Sequence, residues 1–172
     1  IGNGFFAYGA NFTGGVHVAV GRISGASKSQ IVTGAGPGGA PHVRAFDAAG
    51  VAVGPGFYAY GLNFGGGVYV AVADSDVITG AGPGAAPHVR SFDVNGAPKA
   101  SFYAYPESFP GGVRVAAADL GGANGREIIT GAGPGGAPHV RVFTNAGVAT
   151  PTSFYAYGEA FRGGVFVSGS PR

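Results

Sequence analysis

The chain reads as an all-β protein made of β-propeller blades, each blade four short antiparallel strands. Three observations predict this. The string Thr-Gly-Ala-Gly-Pro-Gly-x-Ala-Pro-His-Val-Arg occurs at 33–44, 79–90 and 130–141 with a single variable position, so one unit is repeated. The tetrapeptide Phe-(Phe/Tyr)-Ala-Tyr starts at Phe5, Phe57, Phe102 and Phe154, and a Phe-x-Gly-Gly-Val element follows each time at Phe12, Phe64, Phe109 and Phe161. No segment sustains the i, i+3, i+4, i+7 apolar spacing of a helix, whereas runs of Val, Ile, Phe and Tyr bounded by Gly, Pro, Asn or Ser recur throughout, the signature of short strands.

Successive tetrapeptides lie 52, 45 and 52 residues apart. The short interval has one main source, a loop between the Val of Gly-Gly-Val and the Thr of Thr-Gly-Ala-Gly that is six residues shorter in the second unit. Within a unit the first strand is expected at 16–23, 68–73 or 113–118. The second is expected at 31–34, 77–80 or 128–131, and the third at 42–47, 88–93 or 139–144. The tetrapeptide supplies the fourth. Four strands in about 45–50 residues match one propeller blade, and a blade must stack on neighbours to bury its faces. Small residues on the first strand (Ala19, Gly21, Ala71, Ala73, Ala116, Ala118) suit a crowded inner end, and the bulky tetrapeptide suits the wider outer end. The chain 1–172 thus divides into an outer strand at 5–8, blades at 16–60, 68–105 and 113–157, and the first strand of a further blade at 165–168. Unpaired strands of this kind call for partners, since open edges invite association.

Composition narrows the function. Glycine is the anomaly, 36 of 172 residues, without the Gly-X-Y period of collagen. Charged residues are only 10% and the formal net charge is +2, with no run of Lys or Arg, so neither nucleic acid nor a membrane surface is an expected partner. There is no apolar stretch of membrane-spanning length. The absence of Cys, Met and Trp leaves little to oxidise and suits exposure outside the cell. The chain opens on Ile1 rather than Met, as a processed product or a piece of a longer polypeptide would.

The order Gly-Gly-Val-x-Val-Ala, loop, (Ile/Val)-(Ile/Val)-Thr-Gly-Ala-Gly-Pro-Gly, then Pro-His-Val-Arg-x-Phe resembles the bacterial FG-GAP/VCBS repeats, which are integrin-α-like. The resemblance covers nearly the whole chain. It implies a propeller of secreted or cell-surface proteins used for adhesion, recognition or assembly, sometimes as a lectin. It also implies a calcium loop of the form Asp-x-Asn-x-Asp-Gly-x-x-Asp between the first two strands. Here that loop is eroded: Arg22, Ser24, Ala26 and Gln30 fill the ligand positions of the first unit. The second unit keeps Asp74 and Asp76 on a tight turn. In the third, Asp119 and Glu127 remain, with Gly121 and Ala123 where oxygen donors belong. Calcium takes about 6–8 oxygens, so no cofactor is expected, and Asp119 with Glu127 is the one pair left as a metal candidate.

Other chemistry is thinly represented. The strings Gly34-x-Gly36-x-x-Gly39 and Gly131-x-Gly133-x-x-Gly136 match a dinucleotide fingerprint only as letters. That site requires a following helix, and here prolines and a strand follow, so these glycines read as a hairpin between the second and third strands. His42, His88 and His139 are one blade position repeated, open to a structural hydrogen bond, a ligand contact or a metal. Arg44, Arg90 and Arg141 lie two residues on, hence on the same strand face. Each His-x-Arg pair could present donors to a sugar or carboxylate, or the arginines could bind backbone carbonyls, which is the commoner use. Tyr8, Tyr60, Tyr105 and Tyr157 suit packing between blades, with stacking on sugar rings as the alternative. Of the eight acids only Asp74 and Asp76 lie near each other in sequence, and no Gly-x-Ser-x-Gly elbow is present, so little marks a catalyst.

The expectation is a non-enzymatic, extracellular module working by self-assembly and surface recognition. Its partners would be further copies of itself or the rest of a longer parent chain, with a carbohydrate or surface protein as ligand. A lectin with sugars bound between blades, or an accessory propeller fragment of a larger secreted protein, are the alternatives.

Overall fold

A computed structural model describes residues 4–23, 26–121 and 125–169. Every regular element among them is a strand. The first blade comprises β1 (Val16–Gly21), β2 (Gln30–Ala35), β3 (His42–Phe46) and β4 (Ala52–Tyr58). The second comprises β5 (Val68–Ala73), β6 (Asp76–Ala81), β7 (His88–Phe92) and β8 (Pro98–Tyr103). The third comprises β9 (Val113–Ala118), β10 (Glu127–Ala132), β11 (His139–Phe143) and β12 (Ala149–Tyr155). Each blade is a meander of neighbouring antiparallel strands, so the three four-stranded blades stand as predicted.

The registers repeat: Thr33 faces Arg44, Thr79 faces Arg90 and Thr130 faces Arg141 across the second and third strands. The hydrophobic core lies between blades rather than within them. Val32, Val43 and Ala45 of the first blade pack with Val68, Val70, Val77 and Phe92 of the second. Ile78 and Val89 pack with Val113, Val115, Ile128 and Phe143 of the third. Each fully buried Val or Ile contributes on the order of 1.5–3 kcal/mol over its exposed state, so adjacent blades stabilise one another. The first strands of the three blades, with residues 167–169, line an open cleft of about 330 Å³.

Three boundaries differ from the sequence expectation. The first strand stops at Gly21, and Ile23 makes only an isolated bridge to Ser75 of the next blade. The fourth strand starts upstream of the tetrapeptide and ends on its second residue, Tyr58, Tyr103 or Tyr155. The Ala-Tyr half leaves the ladder: the Ala59 and Ala104 amides still donate to Pro41 and Pro87 of their own blade, while their carbonyls and the Tyr60 and Tyr105 hydroxyls are held by the next blade. Residues 5–8 and 165–168, expected as strands, join no ladder among the described residues.

The glycines of the repeated string are placed by approach as well as by turning. A Cβ on Gly34 or Gly80 would lie 2.3 Å from the carbonyl oxygen of Val68 or Val113, so the next blade's first strand can come close only over glycine. Gly38, Gly84 and Gly135 adopt φ of 91, 96 and 94°, the left-handed region glycine enters without strain, and these turn the hairpin. The shortened loop of the second blade is a two-residue turn, Asp74–Ser75, with φ of 45 and 78°. Both values are positive, as a type I′ hairpin requires.

Candidate site: an aromatic pocket repeated at each blade

The chain between blades carries the tetrapeptide across. Tyr60 leaves β8's neighbour blade, the first, and enters the second. Its hydroxyl donates to the His88 carbonyl at 2.8 Å and lies 3.1 Å from Thr79 Oγ1. Tyr8 does the same to His42 and Thr33, and Tyr105 to His139 and Thr130. The threonines in turn donate to the carbonyls of Arg44, Arg90 and Arg141. Burial pushes the Tyr8 and Tyr105 phenols up to about 12, against partial lowering by the threonine hydrogen bond and the nearby arginine charge. Tyr60 is raised further for the same reason. These tyrosines pack between blades, the first of the two uses open to them.

Each arginine of the His-x-Arg pairs holds the same crossing segment. Arg44 Nη1 donates to the Ala7 carbonyl, Arg90 to Ala59 at 2.6 Å and Arg141 to Ala104 at 2.6 Å. Their guanidinium carbons stand 4.9, 4.7 and 5.0 Å from the ring centres of Phe46, Phe92 and Phe143, within cation–π range. The arginines are therefore engaged with a carbonyl and a ring, the alternative favoured for them on sequence.

The histidines sit between two tyrosines. His42, His88 and His139 lie 4.7, 4.7 and 4.8 Å from the rings of Tyr58, Tyr103 and Tyr155 on their own blades. Tyr8, Tyr60 and Tyr105 flank them from the crossing segment at 5.8, 5.7 and 5.6 Å. His88 Nε2 and His139 Nε2 each meet a serine hydroxyl, Ser101 or Ser153, at 2.8 Å. In the first blade Gly56 occupies that position. Burial, and then the nearby arginine, lowers the pKa of all three histidines below 6.5, so the rings are neutral at pH 7.

Around each His a pocket opens. In the second blade Tyr60, Phe64, Ala86, His88 and Tyr103 enclose about 330 Å³. The first blade repeats it with Tyr8, Phe12, Ala40, His42 and Tyr58 at about 210 Å³. The third does so with Tyr105, Phe109, Ala137, His139 and Tyr155 at about 380 Å³. Tyr58, Tyr103 and Tyr155 remain roughly half exposed and form the open wall. Concave sites with aromatic walls and a few polar groups are the usual form of small-ligand pockets. Sequence reading placed His in this setting but missed Tyr58, Tyr103 and Tyr155, the serines and the threonines. The missed signal was the fixed offset of the tyrosines and threonines from the other motifs in all three blades, and of the serines in the second and third.

No protein-family model matches this chain, and no curated protein matches it.

The metal candidate behaves differently. Asp119 Oδ1 accepts from the Gly121 amide at 3.0 Å and Glu127 Oε2 accepts from Leu120 at 2.9 Å, so both acids brace their own loop. Gln30 does the equivalent in the first blade, accepting from the Ile23 amide at 3.0 Å. Among the described residues no three His, Cys, Asp or Glu side chains gather as a metal-binding group. Ser24 and Ala123, two of the eroded loop positions, lie outside the described residues. The Asp74 carboxylate instead receives the Arg126 backbone amide at 2.6 Å, tying the third blade's loop to the second blade's turn. Among the described residues no helix is long and apolar enough to cross a membrane.

Proposed function

We propose that the chain is a non-enzymatic recognition module of the FG-GAP/VCBS kind, acting outside a bacterial cell and offering one aromatic pocket per blade to a surface ligand. One observation carries this: the same His, two-tyrosine and Phe pocket is built three times. A catalyst needs one well-formed constellation, whereas a binder of repetitive surfaces gains from several equal sites, because linked weak contacts add through effective concentration. The pockets carry no carboxylate beside the histidine, so they offer shape, ring faces and hydrogen-bonding groups rather than an acid–base pair. The motif order and the lack of Cys, Met and Trp support the family and the location.

A second reading makes the ligand a sugar. It is favoured by the half-exposed faces of Tyr58, Tyr103 and Tyr155, which suit the C–H face of a pyranose, next to the imidazole–serine pair of the second and third blades. The test is a glycan array and a panel of cell-surface proteins, run with the whole chain and with His88→Ala and Tyr103→Ala. Binding that falls at least fivefold in each variant, with the folded state kept, supports the pocket. Unchanged binding in both would place recognition elsewhere on the molecule, and silence across the glycans would leave the protein reading alone.

A further inference from the structure

The element Gly-Gly-Val-x-Val recurs at 14–18, 66–70, 111–115 and 163–167, and its variable position holds His17, Tyr69, Arg114 and Phe166 in turn. These four side chains meet in a row from blade to blade. The His17 and Tyr69 rings lie 4.3 Å apart. The Arg114 guanidinium carbon stands 5.7 Å from the Tyr69 ring centre and 3.8 Å from that of Phe166. The residues that follow them, Val18, Val70, Val115 and Val167, begin the lining of the cleft of about 330 Å³ between the first strands. The row therefore stands at one mouth of that cleft, whose walls are almost entirely Val and Ala.

Arg114 is the exception in the row. It is a charge only 8% exposed, and among the described residues it makes no ion pair. Arg90 and Arg141 each hold a carbonyl at 2.6 Å, but Arg114 Nη1 reaches the Ala132 and Val165 carbonyls only at 3.5 and 3.3 Å. Its Nε is buried without a hydrogen-bond partner. Arginine is almost never buried to this extent unless paired, and the faces of Tyr69 and Phe166 compensate the charge only in part. The remaining field is felt at His17, whose pKa is held below 6.5 by burial first and by Arg114 second. Phe166, which covers the guanidinium, is itself 79% exposed, and an exposed ring changes rotamer within nanoseconds or less.

We infer that Arg114 anchors a small aliphatic carboxylate at this mouth, with the carboxylate on the guanidinium and the aliphatic chain in the cleft. The guanidinium fork matches a carboxylate in shape and donates two parallel hydrogen bonds to it. Burial strengthens that pairing, because little water screens it. One guanidinium balances one negative charge, so a monoanion fits and a phosphate dianion would leave a charge over. The Val and Ala walls then take up methylenes that would otherwise face water. This site shares no residue with the three His pockets, and it stands whatever those pockets bind.

The experiment titrates the whole chain with sodium hexanoate and follows the Arg114 Nε–H resonance by NMR. Sodium acetate and hexan-1-ol are run in parallel at matched ionic strength. The expected result is a saturable shift of that resonance with hexanoate. Acetate, four methylenes shorter, should bind on the order of tenfold or more weakly, and hexanol should leave the resonance in place. Arg114→Lys keeps the charge but loses Nε and the fork, and should weaken hexanoate by about fivefold or more. Arg114→Met should abolish binding; should that variant fail to fold, the resonance of the natural chain still decides. His88→Ala should bind hexanoate as the natural chain does, which separates this site from the recognition pockets. A resonance that hexanoate does not move overturns the inference. So does an affinity that hexanol or acetate equals, that Arg114→Lys leaves unchanged, or that His88→Ala removes.

Discussion

Tyr60 reaches from the end of one blade into the next and sets its hydroxyl 3.1 Å from Thr79 Oγ1, while donating at 2.8 Å to the His88 carbonyl. The same pair recurs as Tyr8 with Thr33 and Tyr105 with Thr130. It is the polar counterpart of the apolar contacts between blades, and it fixes where the crossing chain enters its neighbour.

Tyr60→Phe keeps the ring but strands a buried carbonyl and hydroxyl, so it is expected to cost about 1–3 kcal/mol of stability. Thr79→Val removes the other hydroxyl. The two losses should fall short of additive when combined, because the groups share one network. Urea denaturation of the single and double variants checks this. Additive effects would show that the two hydroxyls act separately.

Two glycines of one motif should answer differently to alanine. At Gly84 nothing lies within 4 Å of an added Cβ and only the φ of +96° opposes it, a cost of about 1–2 kcal/mol. At Gly80 the added carbon would meet the Val113 carbonyl oxygen at 2.3 Å, forcing two blades apart. Gly80→Ala should therefore lower the thermal midpoint by clearly more than Gly84→Ala. Equal shifts in calorimetry would remove close approach as the reason for that glycine.

Acid should loosen the fold through the histidines. His42, His88 and His139 have folded pKa values below 6.5, chiefly because they are buried and secondarily because an arginine is near. The unfolded chain then binds protons first as pH falls, so their contribution is complete above about pH 6.5 and is lost progressively below it. The urea midpoint should drop between pH 7 and pH 5. The triple variant with Gln at all three positions should show a flatter profile, and an equally steep one would assign the acid response to other groups.

In the third blade's loop, Glu127 works as a hydrogen-bond acceptor for the Leu120 amide. Gln30 plays that part in the first blade, so Glu127→Gln should be nearly neutral, and Glu127→Ala should cost about 1–3 kcal/mol for the stranded amide. A chelator should leave the thermal midpoint of the natural chain unchanged. A midpoint that falls on chelation would restore Asp119 and Glu127 as cation ligands.

The sequence by itself determined the repeat, the all-β class and the places where strands turn, because period-two runs of Val, Ile and Phe punctuated by Gly and Pro are local properties of the chain. It also determined that Asp74 sits on a tight turn, since deleting six residues leaves no room for anything longer. Tertiary structure alone decided how the Phe-Tyr-Ala-Tyr element divides. As a string it is one outer strand. In the fold its first half closes one sheet and its Tyr serves the next, because the Thr and carbonyl that satisfy that hydroxyl come from a different blade. The same reason hid the pocket. His88, Tyr103 and Ser101 gather only when β7 pairs with β8, and Tyr60 and Phe64 join them only when the preceding blade delivers its crossing segment. Gly34 and Gly80 read as hairpin residues in the sequence, yet what requires glycine there is the backbone of the neighbouring blade, about thirty residues further along the chain.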